Sequence, residues 1–484
     1  MNLDYLLRST KIKKIVGKTK NVKIDYITVN SREKHKNMLY IAQSGSNVDG
    51  HSFVDEAIIN GAVALVVEHE LPHYKFPQIV VENSRIAVAT IASQFYGNPK
   101  DKLKFIGITG TNGKTSCALF ISQVLNSVGY NTATFGTLGI YANGKHEKSN
   151  LTTPDPIFFH KTLSKLVKDN IKYIVMEVSA HSIALEKVCN INFEVGILTN
   201  ITQDHLDYFL NMKNYASTKL KWINSSNVKH AVVNADDNLI KNGIERKSNT
   251  LFFGLSGKND IKCFDIVKDV NGSCFNLSLF QKVVKAKINL VGEFNIYNVM
   301  AVVGCSHLLG LNLNVIISSL EKLKAPIGRF NVIKLTNNKI VVVDFAHTPD
   351  SLEKVLKSAR EVCKGELISL FGCGGDRDRT KRAIMGEISE NLADFTIITS
   401  DNPRFEKPEE ILNEIESGMK THNYLKISDR KIAINKALSM LKPNDIVVIS
   451  GKGGELYQDI NGIKIPYNDF EEVEKFKKFL IDKK

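Results

Sequence analysis

The sequence is poor in several features, and each scarcity narrows what the protein can do. Across 484 residues no stretch approaches the run of about 20 uninterrupted apolar residues that a membrane span needs, so insertion into a bilayer is not expected. The first residues, MNLDYLLRSTKIKKIVGK, hold no apolar segment followed by a small-residue cleavage site, which makes the cytoplasm the expected location. Cysteine occurs only seven times, at Cys117, Cys189, Cys263, Cys274, Cys305, Cys363 and Cys373, an odd number without any C-x-x-C pair. That pattern points to reduced thiols and away from a disulfide frame or zinc site. The net charge is +13, yet no basic run is interleaved with aromatic residues as a single-strand binder needs, and no nucleic-acid partner is expected. The basic field can still raise the local concentration of small polyanions such as nucleotides.

What is present is ordinary globular material, 43% hydrophobic and 24% charged. At roughly 150 residues per domain it suffices for three units. Residues 1–98 read as a small α/β unit, with strand-like IDYITVNSR, MLYIAQ and ALVVE around a helical VDEAIINGA, ending at the turn Gly97-Asn98-Pro99. Residues 99–325 begin with a strand KFIGIT, a glycine loop and a helix stopping near Gly129, followed by the apolar strands YIVMEVS and FEVGILTN. This order implies a doubly wound parallel sheet. The short antiparallel-looking strands between 250 and 290 read as a β appendage, and a helix is expected from Ile296 to Leu309. Residues 326–484 read as a Rossmann-like α/β unit whose strands IVVVDFAH, ELISLFGCGG, DFTIITSDNPR and DIVVISGKGG each end in a polar loop. In parallel sheets the ligand crevice lies beyond these carboxyl ends, so the loops should converge.

The segment Gly107-Ile108-Thr109-Gly110-Thr111-Asn112-Gly113-Lys114-Thr115-Ser116 sits between predicted strand and helix, where backbone N–H groups can cradle phosphates. Lys114 is placed to reach terminal phosphates and the Thr115 hydroxyl to ligate Mg²⁺. Ile108 stands where the strict phosphate-loop pattern has its first glycine. The loop Gly110-Thr-Asn-Gly-Lys-Thr115 instead resembles that of the Mur ligase family, as do Met176-Glu177-Val178-Ser179-Ala180-His181, Thr199-Asn200-Ile201-Thr202-Gln203-Asp204-His205-Leu206-Asp207 and Tyr215-Ala-Ser-Thr-Lys219. The resemblance implies ATP and Mg²⁺ as cofactors, with Thr115, Glu177 and His205 at the metal. It also implies that Lys219 is carbamoylated and so adds a second anionic ligand. Lys114, Glu177, His205 and Lys219 are the implied catalytic set. Gly110 through Ser116, together with Asn298, Arg329, Asp344 and His347, are the implied ATP contacts.

The resemblance runs through all three units and is strongest to the branch that acts on UDP-N-acetylmuramoyl-L-alanyl-D-glutamate. It implies that Val29, Ser31, Ser46, Asn47 and Val48, with Thr152, Thr153, Ser179 and Lys187, hold the UDP-N-acetylmuramoyl-dipeptide. Leu185 and Lys187 depart from the commoner glutamine and arginine, and Phe345 from tyrosine. Asp401-Asn402-Pro403-Arg404 is similar to the signature of diaminopimelate-adding members. Arg404 offers a planar fork to the second carboxylate that lysine and ornithine lack. Arg377, Gly451 and Glu455 complete that implied pocket, where Gly454 replaces a histidine. The expectation is an ADP-forming, ATP-dependent ligase of peptidoglycan precursor synthesis, monomeric, that joins meso-diaminopimelate through an acyl phosphate. The alternatives are L-lysine or L-ornithine as acceptor, or an inactive nucleotide-binding partner.

Overall fold

The computed structural model describes residues 1–482 apart from Ser46, Asn47, Asn150 and Arg246. Met38–Ile41 and Ala62–Val67 are apolar almost throughout, and strands without polar alternation need cover on both faces. Both lie inside a five-stranded sheet, with Gln78–Val81 and Ile12–Val16 beyond one and Tyr26–Thr28 beyond the other. Only Ile12–Val16 runs antiparallel to its neighbour. Lys13 and Lys14 interrupt the apolar pattern of that strand and hide it in the sequence. The helix Ser84–Phe95, also not expected from sequence, is capped by Asn83 accepting from the Arg85 and Ile86 amides. After it, Asn98 takes a left-handed φ of 49° and Pro99 opens a short 3-10 turn into the strand Lys104–Thr109.

That strand is central in a sheet of eleven. Lys104–Thr109 is flanked in parallel by Tyr173–Glu177 and Phe193–Leu198, and the parallel core continues through Thr132–Gly136 on one side and Val228–Asn234 and Thr250–Gly254 on the other. The strands between 250 and 290 are joined to the central unit as an extension of its sheet. Thr250–Gly254 pairs in parallel with Ile261–Asp269, and Gly272–Leu279 and Lys282–Ile288 extend the same sheet antiparallel. The alternating burial of Ile261–Asp269 explains the antiparallel look in sequence, because only one face of that wing is covered. Covering it is the helix Glu293–Leu308, buried nearly all round and packed against the helix Lys114–Ser127.

The third sheet has six strands, ordered Asn331–Lys334, Ile340–Val343, Ile446–Ile449, Leu367–Phe371, Phe395–Thr399, Tyr424–Ile427. The four apolar runs legible in sequence are its centre. The two edge strands are half-exposed and carry no such signal. A separate hairpin, Tyr457–Ile460 with Ile463–Pro466, stands over the loop that follows Phe395–Thr399. Among the described residues no helix is long and apolar enough to cross a membrane, and the seven cysteines are all free.

One ion pair locks this unit. Arg430 and Asp469 are fully buried, with Nε and Nη2 donating to the two carboxylate oxygens at 2.8 Å each, and Arg430 Nη2 also donates to the Ser450 carbonyl at 2.9 Å. Replacing Arg430 with methionine leaves an unpaired buried carboxylate, and we expect a loss of about 3–5 kcal/mol in urea unfolding. Unchanged stability would show the pair to be dispensable.

Candidate active site in the central cleft

The phosphate loop joins the strand Lys104–Thr109 to the helix Lys114–Ser127, and its glycines are there because nothing larger fits. At Gly110 (φ +143°) a Cβ would lie 1.9 Å from Thr199 Oγ1, and at Gly113 (φ +86°) 2.5 Å from Asn298 Oδ1. The neighbouring strand end clamps the loop: Asn112 N donates to Asn200 Oδ1 at 2.9 Å, Thr111 N to the Asn200 carbonyl at 2.9 Å and Thr199 Oγ1 to the Asn112 carbonyl at 2.6 Å. Lys114 Nζ donates to the Gly110 and Thr111 carbonyls, both at 2.9 Å. Burial lowers the Lys114 pKa, against the opposing fields of Glu177 and Asp204.

Glu177 ends the strand Tyr173–Glu177 with 1% of its surface exposed. Its Oε1 accepts from Thr115 Oγ1 and from Thr137 N, both at 2.9 Å, and Oε2 accepts from Thr137 Oγ1 at 3.2 Å. Gly136 makes room for it, since a Cβ there would lie 2.1 Å from Oε1. Hydroxyl and carboxylate side by side form a hard-oxygen donor set, which suits Mg²⁺, a cation that takes few protein ligands and completes its shell with phosphates and water. His205 has a left-handed φ of 54°; its Nε2 is 3.4 Å from Asp204 Oδ2 and its ring packs on His181 at 4.7 Å. Among the described residues no three His, Cys, Asp or Glu side chains gather into a metal nest.

Lys219 lies in the helix Met212–Ile223 with 1% exposure; its Nζ donates to the Gly110 carbonyl at 3.1 Å and stands 4.6 Å from the centre of the Tyr215 ring. Burial, and next the charge of Lys114, hold its pKa well below the ordinary lysine value. Its amine is therefore biased toward the neutral, nucleophilic form.

The third unit closes the cleft. Asp344 accepts from the Phe330 amide at 2.6 Å and the Ala346 amide at 2.7 Å, and burial pushes its pKa up to about 6 against the pull of Arg329. The Arg329 guanidinium stacks 4.4 Å over the Phe345 ring. His347 Nδ1 sits 2.9 Å from the Phe345 carbonyl. Asp350 Oδ2 accepts from Asn112 Nδ2 at 2.7 Å, tying the phosphate loop directly to the third unit. The cavity so enclosed measures about 670 Å³ and brings together Thr111 through Ser116, Glu177, His205, Lys219, Asn298, Arg329, Asp344 and His347, with Thr152 and Ser179 on its rim. Gly110 is not in the cavity lining; its carbonyl accepts from both Lys114 and Lys219, which are.

A second cavity, of about 350 Å³, lies in the first unit and includes Val29, Ser31, Val48, Tyr40, Gln43 and Arg85 in its lining. Ser46 and Asn47 lie outside the described residues. Thr153 is buried and structural in its contacts: Oγ1 donates to the Glu177 carbonyl at 2.8 Å and accepts from Ser179 N at 3.2 Å. Lys187 is paired with Asp155 at 2.6 Å.

In the third unit Gly451 (φ +112°) lets the chain pass Asp401, because a Cβ would lie 2.4 Å from Asp401 Oδ2. Asn402 Nδ2 donates to Glu455 Oε2 at 3.0 Å. Arg404 holds a left-handed φ of 52°, secured by its amide donating to the Asp459 carbonyl at 3.0 Å and its carbonyl accepting from Asn461 N at 2.8 Å. Its Nη1 donates to the Gly375 carbonyl at 2.5 Å. Arg377 and Arg404 flank Gly374, where a Cβ would lie 3.8 Å from Arg377 Cγ and 2.9 Å from Arg404 Nη1. Pro403 shapes the turn, its carbonyl accepting from the Glu406 amide at 3.0 Å.

Family models match each unit in turn: the Mur ligase family catalytic domain over residues 23–96, the Mur ligase middle domain over 108–306, and the Mur ligase glutamate ligase domain over 328–453. The UDP-N-acetylmuramoyl-L-alanyl-D-glutamate--2,6-diaminopimelate ligase 1 of Clostridium acetobutylicum is 42% identical, covering 97% of this chain and 100% of its own. The chain belongs to the Mur ligase family. The ligase of the same printed name from Aquifex aeolicus is 39% identical over 92% of each chain. A solved structure of a UDP-N-acetylmuramoyl-L-alanyl-D-glutamate--2,6-diaminopimelate ligase superposes with a TM-score of 0.72 at 28% identity over 99% of both chains. The MurF ligase of Thermotoga maritima in complex with ADP shares the fold, with a TM-score of 0.64 at 21% identity over 96% of this chain and 100% of its own.

Within this Mur ligase the departures noted in sequence acquire physical content. Phe345 has no phenol, yet its ring supports the Arg329 guanidinium by a cation–π contact. Gly454 leaves a wall of backbone: a Cβ at Gly328 would lie 2.1 Å from Gly454 N. Several cleft residues have no assigned role in the sequence reading. Asp204 and Tyr215 stand inside the quoted motifs, so a signal existed for them, and Asp350 follows three residues after the strand segment IVVVDFAH. Thr137 and Arg85 lie in no motif, and Arg85 reaches the Ser44 carbonyl from 41 residues away.

Proposed function

We propose that this protein couples ATP hydrolysis to attachment of meso-2,6-diaminopimelate to UDP-N-acetylmuramoyl-L-alanyl-D-glutamate, in the cytoplasm, with release of ADP and phosphate. The observation that carries the acceptor is Arg404, pinned in a left-handed conformation with its guanidinium at Gly374 beside the stem of Arg377, because a planar guanidinium fork suits an acceptor with a distal carboxylate. Residues 1–98 serve the UDP-sugar, 99–325 the ATP, and 326–484 the amino acid.

In this reading the loop amides and Lys114 hold the terminal phosphates, and Arg329, Asn298, Asp344 and His347 close on the nucleotide from the far wall. Thr115 and Glu177 would hold Mg²⁺, with His205 and a carbamoylated Lys219 as further ligands, and a cation bound there would supply charge compensation between the two anions. Lys114 steadies the phosphoryl group as the γ-phosphate passes to the glutamyl carboxylate and ADP leaves. The amine of the acceptor, presented by Arg404, Asp401, Asn402 and Glu455, then attacks the acyl carbon. The C–O bond to phosphate breaks, and the amine loses a proton. The Asn112–Asp350 contact keeps the cleft shut, which excludes water from the acyl phosphate.

The test is ATP-dependent phosphate release with UDP-N-acetylmuramoyl-L-alanyl-D-glutamate and each of meso-diaminopimelate, L-lysine and L-ornithine. Diaminopimelate should be preferred, and Arg404→Ala should raise its KM about 10²-fold through the loss of one charge pair. Equal or better use of L-lysine would overturn the acceptor assignment.

A further inference from the structure

The loop Gly451-Lys452-Gly453-Gly454-Glu455 contributes Gly451 and Glu455 to the acceptor pocket, and its lysine has been given no part. Lys452 is nonetheless fully buried. Its Nζ donates to Asn402 Oδ1 at 2.9 Å and to Glu455 Oε2 at 3.0 Å. Asn402 Nδ2 closes the triangle by donating to the same Glu455 oxygen at 3.0 Å. An ammonium taken wholly out of water is costly unless paired and hydrogen-bonded, and this lysine joins its own loop to the one that bears Asn402.

The triangle also fixes which way the Asn402 amide faces. An ammonium and a backbone N–H can only donate, and both Lys452 Nζ and Asp459 N, the latter at 2.9 Å, converge on one amide atom. That atom is therefore the carbonyl oxygen, and the amide nitrogen must face Glu455. With Oε2 engaged by two donors, Glu455 is held in one orientation, and among the described residues Oε1 has no hydrogen-bond partner. Its side chain stays one-quarter exposed, so this oxygen is what the pocket can offer to a substrate ammonium.

We infer that Lys452 is the positioning residue of the acceptor pocket: buried beneath it, it orients Asn402 and Glu455 together so that Glu455 presents a single carboxylate oxygen to the ammonium of the incoming amino acid. This rests on the acceptor-pocket reading above. The Lys452–Glu455 pair is neutral as a unit, so this buried lysine adds no net charge to the pocket.

The experiment is steady-state kinetics on the full chain, using whichever of meso-diaminopimelate, L-lysine and L-ornithine the unsubstituted protein turns over. Lys452→Met should raise the acceptor KM at least about tenfold while leaving the KM for ATP and for the UDP-sugar within about twofold. In a Glu455→Gln background the same change should add no more than about twofold, because residues that act through one another are not additive. The double variant removes both charges together and so tests the coupling even if Lys452→Met alone fails to fold. An unchanged acceptor KM in Lys452→Met, or effects that multiply in the double variant, would overturn the inference. Preference for L-lysine in the unsubstituted protein sinks only the acceptor assignment. Absence of turnover with all three acceptors sinks both.

Discussion

Replacing Lys114 with methionine should slow single-turnover ADP formation by about 10²–10³-fold, the usual effect of deleting one preorganised electrostatic contact to a transition state. Methionine matches the lysine stem in length and leaves Gly110 and Gly113, whose left-handed backbone sets the loop, untouched. Asn200 and Thr199 still clamp the loop once the ammonium's two bonds to it are gone, so its shape should survive. Only the charge is lost. In the protein as described, that charge rests on two loop carbonyls in a buried setting that lowers its pKa, and phosphate oxygens are far better partners for it than carbonyls. Nucleotide affinity should fall less than the rate, because charge builds up during phosphoryl transfer. A rate within a factor of a few of the unsubstituted protein would remove Lys114 from the mechanism.

Lys219→Ala should cost about the same, 10²–10³-fold in kcat. A lysine amine adds to carbon dioxide only when unprotonated, forming the N–C bond and releasing a proton. Burial and the neighbouring Lys114 both disfavour the ammonium here. The same neighbour that opposes a cation at this position favours the carbamate anion, so the field of the site changes from penalty to reward once the modification forms. Two observations check this. The intact protein should carry the mass of one carbon dioxide under native conditions, and activity should fall on removal of bicarbonate and return when it is restored. Full turnover by Lys219→Ala would refute the role.

Much of the site was legible because its parts are contiguous. The strand, glycine loop and helix around Lys114 form one local unit whose geometry follows from a few residues, and the same holds for the polar loops after Ile340–Val343 and Phe395–Thr399. Elements that are half-exposed were not legible. Asn331–Lys334 and Tyr424–Ile427 border a sheet on one side only, so they lack the continuous apolar run that marks their neighbours. The strands from Thr250 to Ile288 were visible as strands, but nothing local states that they extend the central sheet, because strand order is decided by the packing of the helix Glu293–Leu308 across them.

By itself the sequence determined the chemistry on offer: a phosphate loop, hard-oxygen donors at strand ends, and an arginine-bearing turn, each set by a handful of adjacent residues. Only the tertiary structure decided how these act on one another. It buried Lys219, brought Lys114 to the same carbonyl and so shifted their titration. It joined Asn112 to Asp350 across 238 residues, and it sealed Lys452 beneath Asn402 and Glu455. The physical reason is that the strength of a charge or hydrogen bond depends on the water excluded around it. That exclusion is a property of the assembled cleft, which no stretch of the chain carries alone.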